Sequence, residues 1–482
     1  MTKIGEHAVV LGASMGGLFA ARVLTDSYHR VTVVERDVLP TEPVNRRGVP
    51  QGRQPHLLLA RAAQILEAHF PGILDDLVVA GAPVWDDGDL SRFWVSFGGH
   101  RLVRSAPIPD PQSVVNYYPT RPLLEWTVRR HLAALPNVAI LAGHDVASLT
   151  TTPGRVRVTG ARIVRRADNA EIELAADLVV DATGRGSRTP VFLEQLGYER
   201  PREDELVVHT AYASQPVHIP DGVLHENLIA IMPHAECPTA FVLFRGENDT
   251  WLMGAGAVGV EPPGNRDEIL DTAAHLAPRH IVAAARASEP LAEVTQYRFP
   301  SNRWRRYDKM ARTPERLLVF GDAICSFNPI YGQGMTVAAI ESLILRDCLR
   351  GGHHDLPRRF FRGAAKTVKV AWQTAVGSDL TLPQVQGPRP LSTRLTNAYL
   401  DRVLTAAETD PWVVQQFLRV TGMIDAPSQL MRPAFVSRVL RAAARPGDRD
   451  PQPQPIDEEV SPGDESGFRV QRCPSDLPRL VR

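Results

Sequence analysis

The sequence predicts an α/β fold: a Rossmann-like nucleotide-binding domain, an inserted antiparallel β-sheet domain and a helical C-terminal region. Three observations carry that prediction. A glycine-rich turn joins an apolar strand to a helical pattern near the N-terminus, and a second buried strand with a small-residue turn spans 177–188. The third is the stretch 317–339, LLVFGDAICSFNPIYGQGMTVAA, which reads as a strand, a constrained loop and a helix start. Between the second and third, from about 205 to 300, apolar and polar positions alternate, as an antiparallel sheet requires.

Residues 317–320 are continuously apolar, the mark of a strand buried on both faces. Gly321 then permits a sharp turn, so the Asp322 carboxylate projects from the C-terminal edge of the sheet, where open α/β folds bind ligands. An acceptor-only group suits a row of hydroxyls. Pro329 stiffens the loop, and Gly332 and Gly334 precede the apolar run 335–345, which begins at Met335. Glycines let a ligand approach the backbone, and the first N–H groups of the helix point a positive dipole end at it. Such a device stabilises a planar ligand that becomes anionic. Taken alone, the stretch also fits a plain strand-loop-helix with a structural aspartate.

Composition narrows the class. At 482 residues the chain exceeds one typical core, and 44% apolar with 22% charged residues describes a soluble globular protein. Lys plus Arg equals Asp plus Glu at 54 each, so no net field recruits nucleic acid or an acidic membrane. The four cysteines stand apart without a C-x-x-C pair, which argues against a disulfide framework and against a metal site, and fits a cytoplasmic protein. No signal peptide or membrane-spanning run is evident, so no stable membrane insertion is expected.

Taken in order, residues 7–11 form a strand that leads into Gly12-Ala13-Ser14-Met15-Gly16-Gly17 and a helical pattern. The strand 31–34 ends at Glu35, followed by Arg36, at the distance one βαβ crossover takes. This is a dinucleotide fingerprint with Ser14 at the position usual for the second glycine. The basic loop 40–55 carries Arg53, placed to reach a phosphate or a cofactor edge, while Arg46 and Arg47 read equally well as solvated loop arginines. A helix is expected over 56–70. The aromatic stretch 82–111, with Trp85, Phe93, Trp94 and Phe97, reads as part of a substrate chamber or as ordinary core. A helix over 120–135 starts at Arg121, a strand leads to Asp145-Val146, and stranded residues 155–174 precede the buried strand ending at Asp181. Strands at 228–232, 240–244 and 251–255 with a helix at 268–276 make the second domain. Helices follow at 356–375, 394–407, 411–422 and 433–444; the last reads as a packing helix or as a face for a membrane or partner. The resulting division is 1–80, 112–204 and 301–350 for the nucleotide-binding domain, 81–111 and 205–300 for the substrate domain, 351–445 helical, and a disordered tail at 446–482 rich in Pro, Asp and Glu.

Gly12-x-Ser-x-x-Gly17 with Glu35, Asp181-Ala-Thr-Gly-Arg, and Gly321-Asp322 through Gly334 together resemble the aromatic-hydroxylase-like FAD monooxygenases over about 5–380. Within that superfamily, RRGVPQGRQPHLLL, DLVVDATGRGSR, NRWRRYD and FGDAICSFNPIYGQGM are most similar to the squalene-epoxidase-like subgroup, which includes epoxidases of polyene precursors of polyether antibiotics. The resemblance implies a GR2-type FAD-binding domain. Gly12, Ser14 and Gly17, with Met15 and Gly16 beside them, would hold the pyrophosphate, and Glu35 with Arg36 the adenosine ribose. Arg121 would contact the FAD phosphates, Val146 the adenine through its backbone, and Asp322 the ribityl chain. Pro329, Gly332, Gly334 and Met335 would line the flavin's pyrimidine edge.

The implied reaction is oxygen insertion through a flavin C4a-hydroperoxide, with alkene epoxidation of a polyketide- or terpenoid-like intermediate foremost. Aromatic-ring hydroxylation, or reduction of the geranylgeranyl-reductase type, are the alternatives. Such chemistry needs no protein nucleophile, and no catalytic residue is assigned. The family's Asp-Gly motif reads Asp181-Ala182 here, so NAD(P)H would supply electrons directly or through a separate flavin reductase. The Trp-x-Trp-x-x-Pro pattern of flavin halogenases is absent.

Overall fold

The computed structural model describes residues 3–443, so the expectation for the tail at 446–482 lies outside the described residues. A five-stranded parallel sheet runs in the order Leu317–Val319, Leu178–Asp181, Gly5–Leu11, Tyr28–Glu35, Val138–Ala142. Its central residues Ala8, Val9, Val10, Val179, Val180 and Leu318 are fully buried, as β-branched and apolar runs covered on both faces must be. Register decides the consequence: Leu11 pairs with Asp181, and Asp181 with Val319. Three turns far apart in sequence therefore leave the sheet side by side at its C-terminal edge.

The helices Met15–Ser27 and Gly334–Arg350 pack together against this sheet. Their start is set by backbone contact. A Cβ on Gly17 would stand 1.9 Å from the Gly12 carbonyl oxygen, and one on Gly12, whose φ is +101°, would stand 2.6 Å from that of Ala182. A three-stranded antiparallel meander, His144–Thr151, Val158–Arg165 and Glu171–Ala175, forms the stranded segment.

The second sheet has nine strands, built around the long pair Glu203–His218 and Thr295–Arg305, with Thr250–Val258, Thr239–Arg245, Leu228–Ile231 and Phe93–Phe97 in succession. The aromatic stretch joins it through a parallel pairing of Phe93–Phe97 with Leu228–Ile231. One face carries Phe241, Leu243 and Met253 onto the helices Arg266–Leu276 and Arg279–Ala287. The alternate residues Val242 and Phe244 face the other way, into a cavity. Beyond Gly321, Cys325–Ser326 adds a short strand to this sheet, fastening one domain to the other.

The C-terminal helices divide between the domains. Leu356–Asp379 buries Phe360, Phe361, Ala364 and Val368 in the first core. Leu391–Ala407, Pro411–Thr421 and Pro433–Ala443 close over the edge of the second sheet, where Val403, Ala406, Ala407, Val413 and Val414 pack with Phe93, Val95 and Leu228. The last helix packs through Val439 and pairs Arg438 with Asp410 at 2.6 Å. Among the described residues no helix is long and apolar enough to cross a membrane.

Candidate active site

The cleft starts where the three turns meet. Gly12, Ser14, Met15 and Gly16 line it from one strand end, Ala182 to Arg185 from the next, and Gly321, Asp322, Pro329, Gly332, Gly334 and Met335 from the third. Gly17 stands behind, as the contact that lets the helix lie on the strand. Neither the helix that starts at Met15 nor the one at Gly334 has a side-chain cap or an acidic residue in its first turn. Both leave N–H donors and a positive dipole end turned into one cleft, an arrangement that favours an anion.

Arg121, at the start of Arg121–Ala133, reaches across this edge: one Nη donates to the Ser14 hydroxyl at 2.7 Å, and the other meets the Met335 sulfur at 3.4 Å. Glu125 one turn on holds it at 3.2 Å. Glu35 also lines the cleft; it accepts from the Ala13 N–H at 2.8 Å and the Asp37 N–H at 3.0 Å, so its carboxylate fixes the turn after Gly12. Val146 lines the far end. Arg36 lines it too, yet is exposed and 3.7 Å from Asp145.

Two arginines exchange roles relative to the sequence reading. Arg53 is exposed and lies outside the cleft lining, because the short helical turn Pro50–Arg53 points it outward; its carbonyl accepts from Ser214. Arg46 is the buried one, its side chain 6% exposed, pairing with Glu125 at 2.6 Å, Asp37 at 2.9 Å and Glu35 at 3.2 Å. Its remaining Nη2 is buried without a hydrogen-bond partner. Three carboxylates around one guanidinium hold it charged, as the raised pKa reflects against the cost of burial. The sequence signal was available only in part: Glu125 four residues after Arg121 is a helical pair, but Arg46 joins it across 79 residues.

Asp322 is exposed to the open cleft, yet the protein packed around it raises its pKa above the usual carboxylate value, with Arg121 and Arg185 pulling it back. Beneath it, Glu341 is fully buried, accepts from the Gly321 N–H at 2.7 Å, and is pushed up to about 8 by burial and then by Asp322. His56 lines the cleft as well. Burial, then Arg121, lowers it to about 4, and its Nδ1 must donate to the Gln54 carbonyl at 2.7 Å, which leaves Nε2 a bare acceptor. No sequence pattern distinguishes this histidine from the other fourteen.

From this end the cleft widens into a chamber, and the two together enclose about 3950 Å³, more than the ~300–1,000 Å³ of one ordinary small-molecule pocket. Val95, Phe97, Met232, Val242 and Phe244 wall it from the sheet, and Leu400, Phe417 and Leu418 from the C-terminal helices. Phe97 and Phe417 touch across it, ring centroids 5.6 Å apart. Gln333 ties the glycine loop to that wall through the Thr421 carbonyl at 3.1 Å. Where the loop meets the sheet stand Tyr212, Asn328, Tyr331 and Asp379, a polar cluster in an apolar chamber. Among the described residues no cluster suited to a metal ion occurs.

These features fit a dinucleotide with a flavin: two uncapped helix ends and Arg121 for a pyrophosphate, the Asp322 carboxylate open to the cleft for a polyol chain, and a glycine loop open at Gly332, where a Cβ would meet nothing within 4 Å. Comparison agrees. Residues 100–349 match the family model described as FAD binding domain. The chain is 38% identical over 435 residues to Protein Rv3254 of Mycobacterium tuberculosis, covering 87% of this chain and 90% of that one. It is 25% identical to a kynurenine 3-monooxygenase of Salinispora tropica, covering 92% and 94%. Among solved structures, p-nitrophenol 4-monooxygenase PnpA of Pseudomonas putida superposes with a TM-score of 0.60 at 18% identity, covering 86% and 97%. A cleft built for FAD and a family match over half the chain lead to one conclusion: this chain belongs to the FAD-binding domain family and is an FAD-dependent monooxygenase.

Proposed function

We propose that this FAD-dependent monooxygenase places one oxygen atom from O2 on a large hydrophobic natural-product intermediate, and that the reaction is alkene epoxidation. The observation that carries the reading is the chamber: Val95, Phe97, Met232, Val242 and Phe244 from the sheet and Leu400, Phe417 and Leu418 from the helices wall it, and it is continuous with the cleft that fits FAD, the two together about 3950 Å³. Bound FAD supplies the activation of O2. The chain supplies the rest. Ser14, Arg121 and the two helix ends hold the pyrophosphate, Asp322 the ribityl chain, Glu35 the ribose, and Gly332, Gly334 and Met335 present N–H groups to the pyrimidine edge. The aromatic and aliphatic walls align the substrate and exclude water, which an isolated alkene needs more than a proton acceptor.

A second reading is favoured by one feature. The Tyr331–Asp379 contact, 2.7 Å, puts a hydroxyl held by a buried carboxylate at the chamber, which the sequence did not reveal, and a phenol finds in it a hydrogen-bond partner for its own hydroxyl. The names of the kynurenine and p-nitrophenol monooxygenases support the same reading. Electrons come from NAD(P)H, through a separate flavin reductase if Ala182 blocks direct docking. Under 18O2, a polyene, its saturated analogue and a phenol are offered to the FAD-loaded protein. Labelled oxygen in the polyene alone supports epoxidation; label in the phenol alone replaces it with hydroxylation.

A further inference from the structure

Asp379 ends the helix Leu356–Asp379 and is buried, 1% exposed, between the two domains. Its Oδ2 accepts from Asn302 Nδ2 at 2.6 Å; its Oδ1 accepts from Asn328 Nδ2 at 3.0 Å and from the Tyr331 hydroxyl at 2.7 Å. Asn328 is itself locked: its N–H donates to Asn302 Oδ1 at 2.6 Å, and its side-chain oxygen accepts from the Tyr212 hydroxyl. Three donors therefore converge on one carboxylate, and the geometry fixes which way the Tyr331 proton points.

A carboxylate only accepts, so Tyr331 donates inward; with the Ser378 hydroxyl hydrogen-bonded to the same oxygen, one lone pair is left for the cavity it lines. Burial holds the Tyr331 phenol well above its ordinary pKa, so it remains a neutral hydroxyl at working pH. Tyr331 directly precedes Gly332, at the flavin end of the chamber. The chamber walls on the substrate side, Phe97, Met232, Val242 and Phe244 among them, are apolar.

From this arrangement we propose that Tyr331 Oη, oriented by Asp379, is the acceptor for a hydroxyl of the substrate, so the substrate is an apolar molecule that presents a hydroxyl hydrogen-bond donor beside the flavin. The inference rests on the monooxygenase reading only for the position of the flavin, and it holds for a hydroxylated alkene and for a phenol alike. Tyr331 is then a specificity-determining residue and Asp379 a positioning residue. A site built to accept a hydroxyl disfavours the analogue that lacks the proton, because the buried acceptor is left unpaired.

Calorimetry reads this without turnover. The FAD-loaded protein is titrated with 2-naphthol and with 2-methoxynaphthalene, which keeps the oxygen and lacks the donor. Expected is a preference for 2-naphthol of about tenfold, one neutral hydrogen bond. Tyr331→Phe should reduce it to within about threefold with the Kd for FAD unchanged, and Asp379→Asn, which retains one acceptor oxygen, should weaken it in part. The proposal is overturned if the wild-type protein binds neither probe or shows no preference. It is overturned equally if the preference survives in the variants, or if Tyr331→Phe releases FAD in parallel, which would make the network a brace for the loop. A protein that binds no FAD fails the monooxygenase reading instead, while naphthol binding to it still reports on Tyr331.

Discussion

At Asp322 a single carboxylate is asked to hold a polyol chain in a cleft where burial already disfavours its charge. Removing it as Asp322→Ala should weaken FAD binding by about 1.5–3 kcal/mol, roughly 10- to 150-fold in Kd, the range for charge-assisted hydrogen bonds. A fluorescence titration that returns the wild-type Kd would remove Asp322 from the site. Glu341 below it carries a pH signature. Its folded pKa, about 8, is raised above the ordinary carboxylate value, so the stability linked to its proton is fully present in acid and is lost as pH rises through about 8. Glu341→Gln keeps an acceptor for the Gly321 N–H without the titration. Melting curves between about pH 5 and 8 should therefore fall less steeply with pH for the variant than for the wild type; parallel slopes would show that Glu341 stays ionised. Residue identity alone made Asp322 legible, since a glycine turn at a strand end exposes the next side chain. It did not make Glu341 or Arg46 legible, because each is defined by a partner distant in sequence.

Elements explain why some glycines are fixed and others free. Gly17→Ala sets a Cβ 1.9 Å from the Gly12 carbonyl oxygen, where backbone faces backbone and neither can yield. Gly332→Ala meets open space and costs only the strain of φ +65°, about 1–2 kcal/mol. The first variant should yield insoluble or FAD-free protein and the second a folded one with a modestly lowered Tm; equal behaviour would contradict the packing. The C-terminal helices give a further contrast. Phe417 meets Phe97 at the chamber wall, so Phe417→Ala should open the wall, lower stability by the pair's about 0.5–1.5 kcal/mol beyond the lost area, and raise the peroxide released per substrate consumed, with FAD affinity retained. These helices were legible from their periodicity as helices. Their place as a chamber wall was not, because the contacts that seat them, such as the Asp110 N–H on Gln415 across 305 residues, leave no local mark. The helix Arg279–Ala287 was missed for a different reason: it lies in a segment whose alternation otherwise reads as sheet.

For the molecule as a whole, the three glycine turns were legible because each sits on a strand whose apolar run marks it as buried. The parallel register adds that they share one edge. The long strands Glu203–His218 and Thr295–Arg305, which join the domains, fall largely within the 205–300 segment read as antiparallel sheet, but their bounds were not read and each runs past it at one end. Ala182 stands at that shared edge, and among the described residues there is one parallel sheet. Anaerobic bleaching by NADPH or NADH alone should accordingly be slow and should accelerate when a flavin reductase is added; fast unaided reduction would mean that Ala182 is no obstacle. The central claim, that the cleft and chamber together make a monooxygenase, is tested most directly by the stoichiometry of a single reaction. The FAD-loaded protein is supplied with reductant and a substrate under 18O2, with O2 uptake and product mass monitored together. The expected result is substrate-dependent uptake of one O2 for each product molecule, which carries one labelled oxygen atom. Substrate reduced without any O2 uptake, or uptake that ends wholly in peroxide whatever substrate is offered, would contradict it.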